Sequence, residues 1–151
     1  MSAQVVNGVK QFYGPRTRFE GSTGSMATRD AERELVVFFD GANYTQVTAT
    51  LPAGAVVSEN AIVEVTEAFN LGGTTPTINW GVSGTEATNR LAQLSEAQAE
   101  AVGTYSVASA GTLAKDTPTA AAVTLKVALG GTTPTITSAG KCKISIRYRT
   151  I

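Results

Sequence analysis

The chain contains no histidine, and Cys142 is its one cysteine in 151 residues. Without an imidazole there is no Ser-His or Cys-His arrangement, no usual zinc site, and no side chain of unperturbed pKa between 5 and 8. A single thiol cannot close an intramolecular disulfide. Cys142 falls on the apolar side of an alternating segment, which predicts a buried structural thiol. Charged side chains make up 16% of the residues, against a usual ~25%. No apolar run approaches the ~18 residues of a spanning helix, and no signal-like apolar segment opens the chain. The expectation is a protein made and kept in a cytoplasm, with no membrane partner and no metal.

Paired carboxylates are the catalytic device that composition leaves open. In an unbroken strand Glu64 and Glu67 point to opposite faces and cannot flank one substrate. Glu96 and Glu100 stand four apart on a short predicted helix, where a solvated face explains them. The spacing of acidic residues fits no calcium loop. The chain is therefore expected to be neither an enzyme nor a cofactor carrier.

What the chain does contain is a repeat: LGGTTPTI at residues 71–78 recurs letter for letter at 129–136. Each copy follows one apolar segment and leads into another. Paired glycines supply φ > 0, threonines favour extended backbone, and proline removes a ladder donor, so the sequence predicts a strand-to-strand bend at each copy. A phosphate loop would need a lysine and a helix after its last glycine; here Gly73 is followed by Thr74-Thr75-Pro76 and then a strand-like alternation of Ile78, Trp80 and Val82. The preceding segments partly agree too, which suggests two related β halves.

At this length one domain buries roughly 68–70% of its unfolded surface. Residues 31–151 are assigned to a β-sandwich domain, and residues 1–30 to an arm that holds Phe12, Tyr13 and Phe19 but no regular period. Arg16, Arg18 and Arg29 interleaved with these rings resemble a single-strand nucleic-acid site only weakly, because the whole chain is neutral. No direct nucleic-acid partner is expected. Charge is uneven along the chain: +3 over residues 1–29, −8 over 30–100 and +5 over 101–151. Basic ends beside an acidic middle suit pairing within a subunit or between subunits.

Glu34-Leu-Val-Val-Phe-Phe-Asp40 is an apolar block bounded by charge, which predicts a strand buried on both faces or set in mid-sheet. Asp40 to Asn43 reads as a turn, Tyr44 to Leu51 as a strand, and Pro52-Ala53-Gly54 as a hairpin-type connection. Ala61 to Phe69 alternates, with Ile62, Glu64 and Thr66 on the polar side. Ser95 to Gln98 has the form of a capping box, so one short helix is placed near residues 95–102. Thr104 to Ala114 is a weak strand and Asp116-Thr117-Pro118 a turn into Ala121 to Leu129. The closing strand alternates most clearly, with Cys142, Ile144, Ile146 and Tyr148 on one side and Lys141, Lys143, Ser145, Arg147 and Arg149 on the other. Its cations are either a soluble outer face that also guards a sheet edge, or a contact for an acidic partner or the acidic middle of a neighbouring subunit.

These features together, the Tyr13-Gly14-Pro15-Arg16 arm, the Glu34 to Gly41 block, both LGGTTPTI copies and the Lys141 to Arg149 strand, resemble the small decoration or cement proteins of tailed-bacteriophage capsids. The resemblance implies an all-β fold, an antiparallel β-sandwich of jelly-roll type on the outer surface of the head. It implies the major capsid protein as partner and no catalytic residue. Capsid or subunit contact is expected from Phe12, Tyr13, Arg16, Arg18 and Phe19 in the arm and from Lys141, Lys143, Arg147 and Arg149 in the last strand. A homo-oligomer is expected, a dimer ahead of a trimer, since closed pairs are the commonest assemblies. Two other readings stay open: a head-tail joining or tail protein, and a carbohydrate-binding sandwich that would expose Trp80, Tyr105 and Tyr44. The alternation of Trp80 with Ile78 and Val82 favours a core role instead.

Overall fold

The computed structural model describes residues 32–138 and 140–151. The expected arm, residues 1–30, lies outside the described residues. Among the described residues nine strands follow one another: β1 (Glu32–Asp40), β2 (Thr48–Leu51), β3 (Ala55–Val57), β4 (Ala61–Glu67), β5 (Asn70–Val82), β6 (Arg90–Ser95), β7 (Gly103–Val107), β8 (Val123–Ser138) and β9 (Lys141–Thr150). The fold is all-β, as expected, with one four-residue helix among the described residues, α1 (Glu96–Ala99). Every strand pair is antiparallel. The first sheet runs β1-β9-β4-β7, with β3 beside the end of β9; the second runs β2-β8-β5-β6. Leaving β3 aside, the pairing is nested: first strand with last, second with second-last, and so inward to β5 with β6. One apolar core collects the inner residues of both sheets, with Trp80, Leu51, Ile78, Leu91, Leu94, Leu125 and Ile144 all but fully enclosed.

Local chemistry sets several elements as read. The Asp40 carboxylate accepts from the Ala42 and Asn43 amides at 2.8 and 2.9 Å, and Asn43 Oδ1 accepts from the Asp40 amide at 2.8 Å. This doubly braced turn ends β1. The capping box is complete: the Gln98 amide donates to Ser95 Oγ at 3.2 Å, and the Ser95 amide donates to Gln98 Oε1 at 3.0 Å. The Pro52-Ala53-Gly54 turn also forms, with Gly54 at φ +76°. It is not a hairpin, however. β2 pairs with β8 and β3 with β9, so the turn carries the chain from one sheet to the other, which turn residues alone cannot specify.

The repeat corrects the reading more deeply. Neither LGGTTPTI copy is a bend: one lies inside β5, the other inside β8, and the two are paired with each other. Leu71 faces Ile136, Gly72 faces Thr135, Thr77 faces Gly130 and Ile78 faces Leu129. The first residue of each copy thus meets the last of the other, so the pairing has a local two-fold axis. The unusual chemistry is absorbed as matched bulges between residues 72 and 77. Gly73 and Gly131 both have φ +104°, and Thr75 and Thr133 both have φ 45°. Because the two strands carry the same distortion, the ladder resumes beyond it. The chain changes sheet elsewhere, passing from β4 in the first sheet to β5 in the second between Glu67 and Asn70.

Candidate functional site

The closing strand alternates as its sequence requires. Cys142, Ile144, Ile146 and Tyr148 enter the core, while Lys141, Lys143, Ser145 and Arg147 lie on the outer face of the first sheet. β9 is not an edge strand, contrary to one expectation. β1 covers one side of it from Lys141 to Arg149, and β4 and β3 together line the other. The cations therefore stand in mid-sheet with acids beside them. Lys141 lies 3.9 Å from Glu67, Lys143 4.0 Å from Glu64, and Arg147 3.7 Å from both Glu32 and Glu59. All are well exposed, where such pairs contribute about 0–1 kcal/mol each. Their effect is on the pattern of the face, which presents a basic column with acidic columns next to it. The structure brings these cations together, as expected, but as members of ion pairs. Phe12, Tyr13, Arg16, Arg18 and Phe19 lie outside the described residues.

A β-bulge between Val65 and Glu67 explains how both β4 acids reach this face. In an unbroken strand they would diverge, as the sequence reading supposed. The extra residue turns Glu67 back toward the same side as Glu64, and each carboxylate meets a lysine.

The sequence reading missed the apolar part of the same face. β1 is not buried on both sides. Val37 and Phe39 point into the core, whereas Val36 is 38% and Phe38 66% exposed, and Ile62 on β4 is 45% exposed. Register sets them close together. Val36, Ser145 and Ile62 form one row across β1, β9 and β4; Phe38, Lys143 and Glu64 form the next. Three large exposed apolar side chains are thus gathered near a small serine on one face, the kind of apolar grouping that marks an interaction surface. The alternation of β4 already put Ile62 outside, but five consecutive apolar residues hide which face of β1 is wet.

Other candidates resolve more simply. Trp80 is 0% exposed, and the Tyr105 hydroxyl donates to the Ala101 carbonyl at 2.9 Å, so the proposed sugar platform lacks its largest ring. Cys142 is buried, and desolvation, followed by the nearby Glu64 carboxylate, pushes its thiol up to about 12, above the ordinary thiol range. Only the thiolate reacts. Alkylation of native protein at pH 8 is thus expected to run far slower than in urea, because burial both shields the thiol and holds it protonated. Mass spectrometry of iodoacetamide-treated samples checks this; equal labelling would mean that the thiol is not buried. Among the described residues no three His, Cys, Asp or Glu side chains are grouped to hold a metal ion, and no helix is long and apolar enough to cross a membrane.

No protein-family model matches the chain, and no curated protein matches it in sequence. Among solved structures it is similar to a chain of the cyanophage Pam1 capsid asymmetric unit, with a TM-score of 0.50 and 17% identity over 93% of this chain and 98% of that one. At that identity the likeness shows the fold.

Proposed function

We propose that this chain is a structural protein of a bacteriophage virion, a decoration or cement protein that sits on the outside of the head and braces neighbouring major capsid subunits without catalysis. The observation that carries the reading is the course of the chain. Its nested strand pairing is that of a hairpin ribbon rolled into two sheets, which we take as a jelly roll, an architecture used by viral capsid domains. A similar fold, matched over nearly the full length of both chains, occurs in a component of a cyanophage capsid asymmetric unit, which supports this reading. A brace needs no reactive group. A ligand that binds only the assembled shell stabilises it by about 2.7 kcal/mol per site at a hundred times its dissociation constant.

In this reading residues 1–30 supply much of the capsid contact. Phe12, Tyr13 and Phe19 are the residue types that dominate interface energy, and Arg16 and Arg18 add charge. Lys141, Lys143, Arg147 and Arg149 contribute less long-range attraction than four bare cations would, because at least three of them already sit beside acids. Deleting residues 2–20 is expected to abolish co-sedimentation with purified heads and leave the β-type circular dichroism intact. Heads without the protein should open at lower temperature. If truncated protein decorates heads as well as the full chain, the contact is elsewhere. A particle map with this chain only at the vertex that joins the tail would instead make it a head-tail joining protein.

A further inference from the structure

We propose that the outer face of the first sheet is where two copies of this chain join, face to face, about a two-fold axis parallel to the strands and lying between β9 and β4. This holds whether or not the chain binds a capsid, because it comes from the pattern of the face alone.

A two-fold pairing of a surface with itself succeeds only if the surface is complementary to its own image. An axis along the middle of β9 would set cation column on cation column. Moved half a strand toward β4, the same operation exchanges the two columns: the cations of β9 in each copy fall over the acids of β4 and its preceding loop in the other. The pairs within one chain define the levels. Lys141 is level with Glu67 and Lys143 with Glu64, and Arg147 reaches Glu59 at 3.7 Å. After the rotation each of these cations meets the same acid of the partner at the same level, so the pairs with Glu67, Glu64 and Glu59 each acquire a between-chain twin. Lateral neighbours in a sheet are ≈ 4.8 Å apart and packed sheets ≈ 10 Å apart, a gap that long Lys, Arg and Glu side chains span.

The apolar residues follow the same operation. Ile62, level with Ser145, is carried over the partner's Ser145, where the small side chain leaves room. β1 is carried over the partner's β7. Register then places Val36 above Ser106 and Phe38 above Thr104, again large on small. All three exposed apolar side chains are covered by one movement, and no cation is set against a cation.

Analytical ultracentrifugation of the full chain tests this. The wild-type chain is expected to be a dimer at micromolar concentration, and Phe38→Glu is expected to weaken it at least tenfold. Lys143→Glu and Glu64→Lys should each give monomers, because either change sets like charges against each other between copies. Mixing these two variants should restore dimers, since residue 143 of one then faces its opposite at residue 64 of the other in both contacts. The mixture leaves the clash within each chain unrepaired, so a merely structural role for these residues predicts no rescue. A monomeric wild type, a dimer that Phe38→Glu leaves unchanged, or a mixture that stays monomeric would each overturn the assignment. So would a monomeric wild type whose binding to heads is lost on Phe38→Glu, which would give this face to the capsid instead.

Discussion

Replacing Gly73 with alanine is expected to cost about 4 kcal/mol of unfolding free energy, whereas Gly84→Ala should cost about 1. Both glycines have φ in the left-handed half of conformational space, +104° and +93°, where an L side chain costs of order 1–3 kcal/mol. They differ in what surrounds them. A Cβ on Gly73 would lie 2.6 Å from the Thr133 carbonyl oxygen and 2.7 Å from that of Thr132, while a Cβ on Gly84 would meet nothing within 4 Å. Those oxygens belong to the backbone of β8 and cannot rotate away, so overpacking of ~1–3 kcal/mol adds to the conformational cost. Gly84 therefore measures the first cost and Gly73 both. The local two-fold relation adds a stricter demand: a Cβ on Gly131 would meet the Thr75 and Thr74 oxygens at 2.6 and 2.9 Å, and Gly131→Ala should lose nearly as much. In urea titrations of the four proteins, a Gly73→Ala variant no less stable than Gly84→Ala would mean that the two repeats are not paired bulge to bulge. A domain of this kind holds about 5–15 kcal/mol in all, so a loss of 4 leaves little in reserve.

The same repeat shows where a sequence stops being legible. Glycine pairs followed by Thr-Pro announce irregular backbone, and the backbone at Gly73 and Thr75 is irregular. They do not say whether the chain turns back or bulges and continues, because that depends on the strand opposite, here the other copy. Features set by nearest neighbours were readable: the period-two alternation of Cys142 to Tyr148, the Asp40 turn, the capping box at Ser95. Features set across the fold were not. The nested strand order, the sheet-to-sheet crossing at Pro52 to Gly54 and the interior place of β9 all rest on partners many residues away.

The candidate face divides along the same line. Its four cations stood out by their spacing in one strand. The acids beside Lys141, Lys143 and Arg147 come from β1, β4 and the loop before β4, and Glu67 reaches the face only through a bulge that its own sequence does not signal. Phe38 was hidden by its neighbours: in a run of five apolar residues either face could have been the wet one, and only the core position of Phe39 decides it.

Trp80 offers the other large effect, and it separates packing from polarity at one site. Its ring is fully enclosed, between Ala92 on β6 and Val127 on β8 in the register of the second sheet; small and branched neighbours leave space for an indole. Trp80→Ala removes that volume and is expected to cost about 3–5 kcal/mol. Trp80→Phe should stay within about 1 kcal/mol of the parent, and not only because a ring is kept. Among the described residues the indole Nε1 is buried with no hydrogen-bond partner, and an unmet buried donor costs about 1–3 kcal/mol. Phenylalanine gives up some packing and removes that cost, so the two changes oppose each other. Unfolding followed by circular dichroism decides the matter, since both variants lose the chain's one tryptophan as a fluorophore. If Trp80→Phe proves as damaging as Trp80→Ala, the indole N–H has a partner and the site is a polar anchor. Native fluorescence of the parent gives a second check: an enclosed indole emits to the blue and is unaffected by saccharides, whereas a ring exposed for stacking on sugars would be quenched or shifted by them.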